Sequence, residues 1–310
     1  TVVLKTDGKV EAVGETAVSG AVGASSQPGA GDIASTAVAY DSTNNKILVA
    51  YSDYTASQNG RAVVGTISGT SITFGTPVQF SGPTLGDANR RIGICFNSTE
   101  GKFVIAYRDS SINNNGRAIT ATISGTSVSF GSSAVFTTDV TNYQACSYDS
   151  TSNKVVIVYS NDSDGGDGYG VVATISGTSL SFGTPVEFES GYTYFPVPVY
   201  DSNANKTVIV YRDGGNSNYG TAIVATVSST AISYGSPVVF EAAQTEMQTA
   251  AFDSVNNKIV VAYTDAGNSG YGTAIVGTVS GTSISFGTAI VFISQSTGAT
   301  QMQAAYNVKA

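Results

Sequence analysis

Short runs of apolar, β-branched residues alternate along the whole chain with turns rich in Asp, Asn, Gly and Ser. The run KIVVAY at 258–263 is typical, because its apolar residues are consecutive and do not alternate with polar ones. Such a run predicts a strand that is covered on both faces. No stretch has a sustained helical period, and β-branched residues favour strands. The pattern therefore predicts an all-β protein.

The same sequence repeat occurs five times along the chain. In each copy an aromatic residue precedes an Asp-Ser or Asn-Ser turn, and a degenerate sixth occurrence lies near the C-terminus. These aromatic residues are separated by 56, 52, 52, 52 and 54 positions and are Tyr40, Phe96, Tyr148, Tyr200, Phe252 and Tyr306. A fixed period of about 50 residues indicates a repeat architecture such as a solenoid or a propeller.

Each copy contains four predicted strands. In the fifth copy they cover 249–252, 258–264, 273–280 and 283–292. Asp and Asn fill the turn between the first two strands, because their side chains bond their own backbone. Gly281 lies in the turn between the last two, where glycine adopts a positive φ without steric cost. Four short antiparallel strands per repeat predict the blade of a β-propeller.

We expect one domain, 1–310, with six blades. Fragments at both ends match the repeat, since VVLKTD at 2–7 aligns with VVAYTD at 260–265 and 301–306 resembles a first strand. The C-terminal strand is expected to pair with the N-terminal strands, which would close the ring and remove its edges. The predicted blades are 37–80, 92–136, 145–188, 197–240, 249–292, and a split blade made of 301–310 and 1–27.

The two faces of the predicted disc differ in variability. On one face lie the turns between strands one and two and between strands three and four, where DSTNNK, DSNANK and SGTS recur almost unchanged. On the other lie the turns between strands two and three and the connections between blades, which diverge from copy to copy. We call these the constant face and the variable face. Scaffolds carry binding groups on variable loops, so a ligand is expected on the variable face.

Arginines and unrepeated aromatic residues gather on the variable face. A guanidinium suits a carboxylate- or phosphate-bearing sugar, and aromatic rings stack on sugars or anchor protein interfaces. Two alternatives stay open. The arginines could pair with the strand-end acids Asp53, Asp109 and Asp213, and the rings could fill gaps between blades. The ligand-binding candidates are Arg61, Arg90, Arg91, Arg108, Arg117, Tyr143, Tyr192 and Tyr194.

One loop of the third copy is two residues longer than its equivalents and reads NDSDGGDG at 161–168. Its residues Asp162, Asp164 and Asp167 could offer carboxylates to Ca²⁺, a cation that prefers several oxygen ligands. The loop lacks the distal Glu and the spacing of an EF-hand. A plain acidic turn is the favoured interpretation, so no cofactor is expected apart from Ca²⁺ at this loop.

Composition and charge narrow the possible partners. The net charge of −8 argues against nucleic acid, and no apolar run approaches the roughly 18 residues of a membrane span. The chain opens at Thr1 without a visible signal peptide, which predicts a processed product or part of a longer polypeptide. Richness in Gly, Ser, Thr and Asn is typical of extracellular or virion β-structures.

The two cysteines are predicted to be free. Cys95 lies one position before its repeat aromatic and Cys146 lies two positions before, which places them on opposite faces of their strands. This arrangement makes a disulfide awkward and favours buried thiols that act as small hydrophobic residues.

The missing histidine argues against most enzymes, because it excludes His-based triads, proton relays and zinc sites. Carboxylate pairs for glycoside hydrolysis could come from several acids, but the spacing singles out no two. We therefore expect a binding or structural protein, with a polysaccharide-active enzyme, either a glycoside hydrolase or sialidase-like, as the alternative. The carboxylates considered are Asp53, Asp109, Asp213, Glu189 and Glu246.

The unit YDSxxNKIVVAYxDxxNSxYGTAIVGTVSGTSISFGTPVVF, taken from 148–188, 200–240 and 252–292, resembles a repeat of marine bacteriophage proteins, particularly structural or tail-fibre-like virion proteins of cyanophages. The resemblance implies a virion-surface or extracellular protein that binds a host-surface glycan or receptor, or other virion proteins. It supplies no catalytic residues. Six-bladed sialidases are a second comparison, in which Arg61, Arg90 and Arg117 would stand for an arginine triad. The Asp-box turns of those sialidases end in Trp, and this chain contains no Trp.

Overall fold

The structure is a computed structural model that describes residues 2–4, 10–12, 33–54, 58–69, 71–83, 92–297 and 304. Strands account for 71% of it and helix for 3%, which confirms the all-β prediction. No helix of the described residues is long and apolar enough to cross a membrane.

Each of the five complete repeats folds into a four-stranded antiparallel sheet, which we number blades 1 to 5. The fourth strand is interrupted after four residues, so that it forms two segments on the same partner strand. A short hairpin, β1 (Val2–Leu4) and β2 (Val10–Ala12), precedes blade 1. Blade 1 contains β3 (Ile33–Asp41), β4 (Lys46–Asp53), β5 (Asn59–Ser68), β6 (Ser71–Phe74) and β7 (Val78–Pro83). Blade 2 contains β8 (Gly93–Asn97), β9 (Lys102–Asp109), β10 (Asn115–Ser124), β11 (Ser127–Phe130) and the start of β12 (Ala134–Asp149).

Blades 3 to 5 repeat this order. Two 16-residue strands, β12 and β21, run from the fourth strand of one blade into the first strand of the next. Blade 3 continues with β13 (Lys154–Asn161), β14 (Asp167–Ser176), β15 (Ser179–Phe182) and β16 (Val186–Glu189). Blade 4 contains β17 (Thr193–Asp201), β18 (Lys206–Asp213), β19 (Tyr219–Ser228), β20 (Ala231–Tyr234) and the start of β21 (Val238–Asp253). Blade 5 continues with β22 (Lys258–Asp265), β23 (Tyr271–Ser280), β24 (Ser283–Phe286) and β25 (Ile290–Ser296), and short 3₁₀ turns cover Asp162–Asp164 and Ala266–Asn268.

The blades stack face to face with their first strands innermost. Along the chain β3 adjoins β8, β8 adjoins β12, β12 adjoins β17, and β17 adjoins β21. Apolar side chains fill the space between neighbouring sheets; Phe103 of blade 2, for example, packs in one cluster with Leu48 and Val64 of blade 1. The run 155–159 in β13 is fully buried along its whole length. This confirms strands covered on both faces and gives a propeller-like architecture.

The recurrent turns of the constant face serve the fold. The carboxylate of Asp149 accepts hydrogen bonds from the backbone N–H groups of Thr151 and Ser152, both at 3.0 Å. Asn153 ends the same turn with a φ of 53°, a conformation that Asn tolerates better than most residues. The Tyr200 hydroxyl of the next blade donates to Thr151 Oγ1 at 2.6 Å. The turns of the constant face therefore satisfy their own backbone hydrogen-bonding groups, and side-chain hydrogen bonds join the turns of neighbouring blades.

A glycine in the interrupted fourth strand allows each blade to approach the next. A Cβ added to Gly183 would lie 1.8 Å from the carbonyl oxygen of Thr230 in the following blade, and one added to Gly235 would lie 1.8 Å from that of Thr282. Gly287 is the equivalent residue of blade 5. Among the described residues its added Cβ would meet only Val276 O, at 3.8 Å.

The sixth blade falls almost entirely outside the described residues, since 1–27 is described only in β1 and β2 and 301–310 only at Ala304. Two hydrogen bonds continue the repeated bonding pattern past the last strand of blade 5. Thr297 donates its N–H to Gly270 O at 2.9 Å, as Thr245 does to Asn218 O at 3.1 Å one repeat earlier. Ala304 donates its N–H to Thr249 Oγ1 at 3.1 Å. Six blades and ring closure remain predictions.

The two cysteines are free, as predicted, but the argument about strand faces was wrong. Cys95 in β8 and Cys146 in β12 lie in one core cluster, and their thiols are close enough to interact. Side chains on opposite faces cannot meet when their strands belong to one sheet, but these two strands belong to different sheets. In stacked blades, the forward face of one inner strand meets the rear face of the next, so residues on opposite faces can meet. Burial, together with the Cys95 thiol, raises the pKa of Cys146.

Candidate functional site

Two of the predicted ligand-binding arginines are paired with strand-end acids. Arg61 Nε lies 3.1 Å from Asp53 Oδ2, and Arg117 Nε lies 3.0 Å from Asp109 Oδ2. These pairs correspond to the alternative interpretation of the arginines as a charged rim. Each guanidinium is thereby largely neutralised before any ligand arrives.

Arg108 joins two blades. Its side chain is buried; Nε donates to Asn114 Oδ1 at 2.9 Å, and Nη1 donates to Asn142 Oδ1 at 2.8 Å and to Thr141 O at 3.4 Å. A guanidinium held in this way stabilises the junction of blades 2 and 3 and is not presented to solvent. Arg90 and Arg91 lie outside the described residues.

Arg212 was not among the predicted site residues, yet it occupies the most distinctive position on the variable face. It lies in β18 at the same repeat position as Arg108, but its guanidinium carbon lies 3.9 Å from the centre of the Tyr194 ring. Its Nη1 lies 4.0 Å from Glu246 Oε1 of blade 5. Asp213, the neighbouring strand-end acid, instead accepts a hydrogen bond from the Asn216 N–H at 2.9 Å.

The predicted aromatic residues do come together. The rings of Tyr192 and Tyr194 lie 4.4 Å apart with 31° between their planes, and Tyr143 packs edge-on against Phe195 at 4.6 Å. Tyr143 and Phe195 are buried, so they fill the space between blades 3 and 4. Tyr192 and Tyr194 are half-buried and reach the surface. The gap-filling interpretation therefore applies to Tyr143 and Phe195, and ligand binding by Tyr192 and Tyr194 stays a prediction.

The first strands of several blades carry a β-bulge near their variable-face ends. Tyr143, Phe195 and Met247 have φ values of 52°, 52° and 49°, which bulky residues rarely adopt. They lie at 52-residue intervals, and Ser35 in blade 1 also has a positive φ of 48°. Because the strain recurs in several blades, it belongs to the scaffold. Gln248 stabilises one bulge by donating to the carbonyl groups of Tyr194 at 2.9 Å and Phe195 at 3.1 Å.

Hydroxyl and carboxylate groups surround the exposed tyrosines. The Tyr192 hydroxyl donates to Asp162 Oδ1 at 3.3 Å, and Asn142 donates from Nδ2 to the other oxygen of the same carboxylate. Burial, followed by the Asp162 charge, raises the pKa of Tyr192, and burial raises the pKa of Tyr143 to about 12. Both hydroxyls are therefore neutral hydrogen-bonding groups at physiological pH.

The acidic loop brings together a different carboxylate set from the one predicted. Oxygens of Asp164, Asp167 and Glu187 lie within 4.8 Å of one another and could hold a cation. Asp162 instead contacts Asn142 and Tyr192. Protein donors already reach two members of the set, since the Tyr169 hydroxyl donates to Asp164 at 2.7 Å and the Gly191 N–H donates to Asp167 at 2.9 Å. The plain acidic turn therefore stays the prediction, with calcium binding as the alternative.

Half-buried carboxylates elsewhere on the variable face follow the repeat. Tyr211 donates its hydroxyl to Glu189 at 2.7 Å, and Tyr263 donates to Glu241 at 2.9 Å one blade later. Burial raises the pKa of both glutamates. A pair that recurs in the same place in two blades indicates a scaffold role, so neither glutamate is singled out for catalysis.

No protein-family model matches the sequence, and no curated protein matches it. Solved structures share the fold at low identity. A protein from Lactobacillus plantarum has a TM-score of 0.57 and 12% identity, covering 82% of this chain and 70% of its own. A protein of unknown function from Dyadobacter fermentans has a TM-score of 0.54 and 12% identity, and the match covers 79% of this chain and 78% of that one. A triple arginine-to-alanine variant of AofleA from Arthrobotrys oligospora has a TM-score of 0.54 and 11% identity, covering 91% and 81%.

More distant similarities include glycoside hydrolases. An exo-β-1,3-galactanase from Phanerochaete chrysosporium has a TM-score of 0.47 and 9% identity, covering 74% of this chain and 56% of its own. Similarity at this level carries no argument about activity. The likenesses support a propeller-like all-β fold, and nothing in them supports a relationship to phage virion or tail-fibre proteins.

Proposed function

We propose that this protein is a non-enzymatic, carbohydrate-binding propeller that recognises a cell-surface glycan through its variable face. The binding residues are Tyr192, Tyr194, Arg212 and Glu246, which we call the rim cluster. They come from the connection before blade 4, from the first two strands of blade 4 and from the inner strand of blade 5. An extracellular setting is part of the proposal and follows from the Gly-, Ser-, Thr- and Asn-rich composition.

The observation that carries the proposal is the departure of the rim cluster from the repeat. Arg108 in blade 2 shares the repeat position of Arg212 but is buried against Asn142, and Ser160 and Thr264 hold that position in blades 3 and 5. Ser160 donates its hydroxyl to Thr193 O, and the Thr264 hydroxyl lies 2.8 Å from that of Thr297, so both serve the inner strands. Arg212 instead lies over the half-buried ring of Tyr194.

The groups of the rim cluster suit a sugar. Guanidinium and carboxylate groups bond hydroxyls, and tyrosines present both an apolar ring and a polar tip. A few converging polar groups on a rigid aromatic base are typical of small-ligand sites. Arg90 could extend this site, because the repeat aligns it with Asn142, Tyr194 and Glu246 on the variable face.

A glycan array probed with the labelled protein tests the proposal. Wild-type protein should bind a restricted set of glycans, and Arg212→Ala should lose that binding while melting within a few degrees of wild type. Lys206→Ala is the matched control, since Lys206 begins the same strand, β18, at the constant face. Loss of binding in the lysine variant alone, or no binding to any glycan, would contradict the proposal. An Arg90→Ala and Arg91→Ala double variant asks whether the site extends to blade 2.

A polysaccharide hydrolase is the second candidate, and the raised pKa values of Glu189 and Asp213 favour it. Burial is the main cause of both shifts, and a raised pKa suits a carboxyl to the role of general acid. The counter-observation is the recurrence of the Tyr–Glu pair in blade 5. We expect no release of reducing ends from glycans that bind. Release that Glu189→Gln abolishes would establish the hydrolase instead.

We also propose that 301–310 and 1–27 form a sixth blade between blades 5 and 1. The sheet surfaces that border this space are apolar and exposed at Ile290 and Ile293 in β25 and at Ile33 and Val38 in β3. Neighbouring blades cover the equivalent surfaces elsewhere. Deleting 301–310 should lower the melting temperature substantially or cause aggregation, because an edge and an apolar surface would be left uncovered. A truncated protein that melts like the full chain would contradict closure.

A further inference from the structure

We infer that the rim cluster selects an uncharged sugar, whose adjacent hydroxyl groups bind between Arg212 and Glu246, over a carboxylated or phosphorylated one. The inference rests on the proposed function and names its ligand class. It reverses the expectation, drawn from the arginine content alone, that the ligand carries a negative charge.

The described arginines of blades 1 and 2, which suggested an anionic ligand, already have protein partners. Arg61 and Arg117 lie against Asp53 and Asp109 in blades 1 and 2, and Arg108 is buried between blades. The rim cluster itself contains one cation, Arg212. A single guanidinium must therefore supply any attraction for an anion.

Several carboxylates lie in or beside the rim cluster. Glu246 lies beside Arg212, and Asp162 bonds the Tyr192 hydroxyl. Glu189 and Asp213 lie close enough to each other for the Asp213 charge to contribute to the raised pKa of Glu189. A sugar carboxylate or phosphate placed against Arg212 would meet like charges nearby, and like charges close together are unfavourable even near the surface.

The distance between Arg212 and Glu246 suits hydroxyl groups. Their nearest nitrogen and oxygen lie 4.0 Å apart, which is beyond an ordinary direct hydrogen bond of about 2.7–3.2 Å. The guanidinium offers only donors and the carboxylate only acceptors. A hydroxyl can accept from the first, and its neighbour on the sugar ring can donate to the second. A carboxylate ligand could satisfy Arg212 but could not donate to Glu246.

The aromatic residues hold this pair in place. Arg212 lies 3.9 Å from the Tyr194 ring centre and Tyr192 lies 4.4 Å from it, so the two groups must occupy opposite faces of the ring. Gln244 donates from Nε2 to Glu246 Oε1 at 2.9 Å, which orients the carboxylate. Both faces of Tyr194 are therefore covered, and the sugar approaches the exposed edge of the stack with its hydroxyl groups.

Matched sugars test the inference. Wild-type protein is titrated with neutral methyl glycosides and with the uronic acids of the same stereochemistry, such as galactose with galacturonic acid and glucose with glucuronic acid. The neutral member of the binding pair should bind roughly tenfold more tightly, as expected for one added like charge near a surface. Its affinity should change little between low and high NaCl, because no net charge is neutralised on binding.

Glu246→Gln separates charge from packing. The variant keeps the shape of the side chain and should narrow the preference for the neutral sugar, because the repelling carboxylate is gone. Tighter binding of the uronic acid by wild-type protein, with an affinity that falls steeply in salt, would overturn the inference while leaving glycan binding intact. Binding of no glycan at all would instead overturn the proposed function, and the inference with it.

Discussion

Replacing the fourth-strand glycine of blade 3 with alanine should destabilise the protein strongly. In Gly183→Ala the new Cβ would lie 1.8 Å from Thr230 O and 3.0 Å from the carbonyl carbon of Thr230. Real Cβ atoms do not approach oxygen this closely, so two backbone segments would have to separate by more than about 1 Å, against the tight packing of protein interiors. The obstructing atom belongs to the backbone of a hairpin turn and cannot rotate away.

The magnitude follows from the cost of overpacking. Inserting a methyl group into a packed interior costs about 1–3 kcal/mol, and a fixed backbone obstacle places this case near 3 kcal/mol. With an unfolding entropy of about 2.1 cal/mol/K per residue, a loss of this size in a protein of 310 residues lowers the melting temperature by about 5 °C.

The assay is thermal melting followed by circular dichroism, with Gly82→Ala as the control. Gly82 lies in the fourth strand of blade 1, and a Cβ added there meets no atom of the described residues within 4 Å. Gly183→Ala and Gly235→Ala should each melt well below Gly82→Ala. If all three variants melt within about 1 °C of wild type, the close approach between blades is refuted.

The same substitution at Gly287 tests ring closure. Within the described residues nothing obstructs a Cβ there, since the nearest atom is 3.8 Å away. If a sixth blade follows blade 5, its hairpin turn should lie against Gly287 and Gly287→Ala should cost as much as Gly235→Ala. A neutral effect would indicate that no blade packs on this side.

Three further predictions concern titration, metal and thiols. Burial raises the pKa of Glu189 above its ordinary 4.5, so the folded state binds this proton more tightly than the unfolded state does. The stability of wild-type protein should therefore fall relative to that of Glu189→Gln as the pH rises from 4.5 toward neutral. Urea melts at a series of pH values test this, and parallel stability curves for the two proteins would contradict it. Calcium chloride should leave the melting temperature unchanged because the acidic loop is already bonded internally, whereas a rise that Asp167→Asn abolishes would establish a metal site. Refolding with oxidised glutathione should join Cys95 to Cys146, detected as a peptide cross-link with the loss of two hydrogens; purely intermolecular disulfides would show that the thiols are too far apart.

The repeat made the blades predictable because each element is specified locally and five times over. The aromatic residue, the Asp–Asn turn and the apolar run occur at fixed spacing, and the structure forms the same four strands each time. The glycines of the fourth strand are equally regular in the sequence. Their role is not readable from it, because the atom that excludes a side chain belongs to a different blade.

The candidate site was only partly predictable. Tyr192 and Tyr194 stood out because they interrupt the repeat, and they do lie together. Arg212 was passed over because the other five arginines cluster in the first two copies and the connection between them, whereas Arg212 lies alone in the fourth. Arg108 and Arg212 differ through residues that neighbour them only in space. Asn142 accepts a hydrogen bond from Arg108, whereas Tyr194 presents a ring face to Arg212.

The cysteines illustrate the same limit. Position within a strand assigns a side chain to one face, but the partner of that face depends on which sheets stack. Cys95 and Cys146 lie on opposite faces and still meet, because they belong to successive blades.

A crystal structure of the protein with the best glycan from the array tests the central claim most directly. The account predicts sugar density at the edge of the Tyr192–Tyr194 stack, with adjacent hydroxyl groups within hydrogen-bonding distance of Arg212 Nη1 and Glu246 Oε1, the pair now 4.0 Å apart. A glycan bound instead on the constant face, or beside Arg61 and Arg117 in blades 1 and 2, would contradict it.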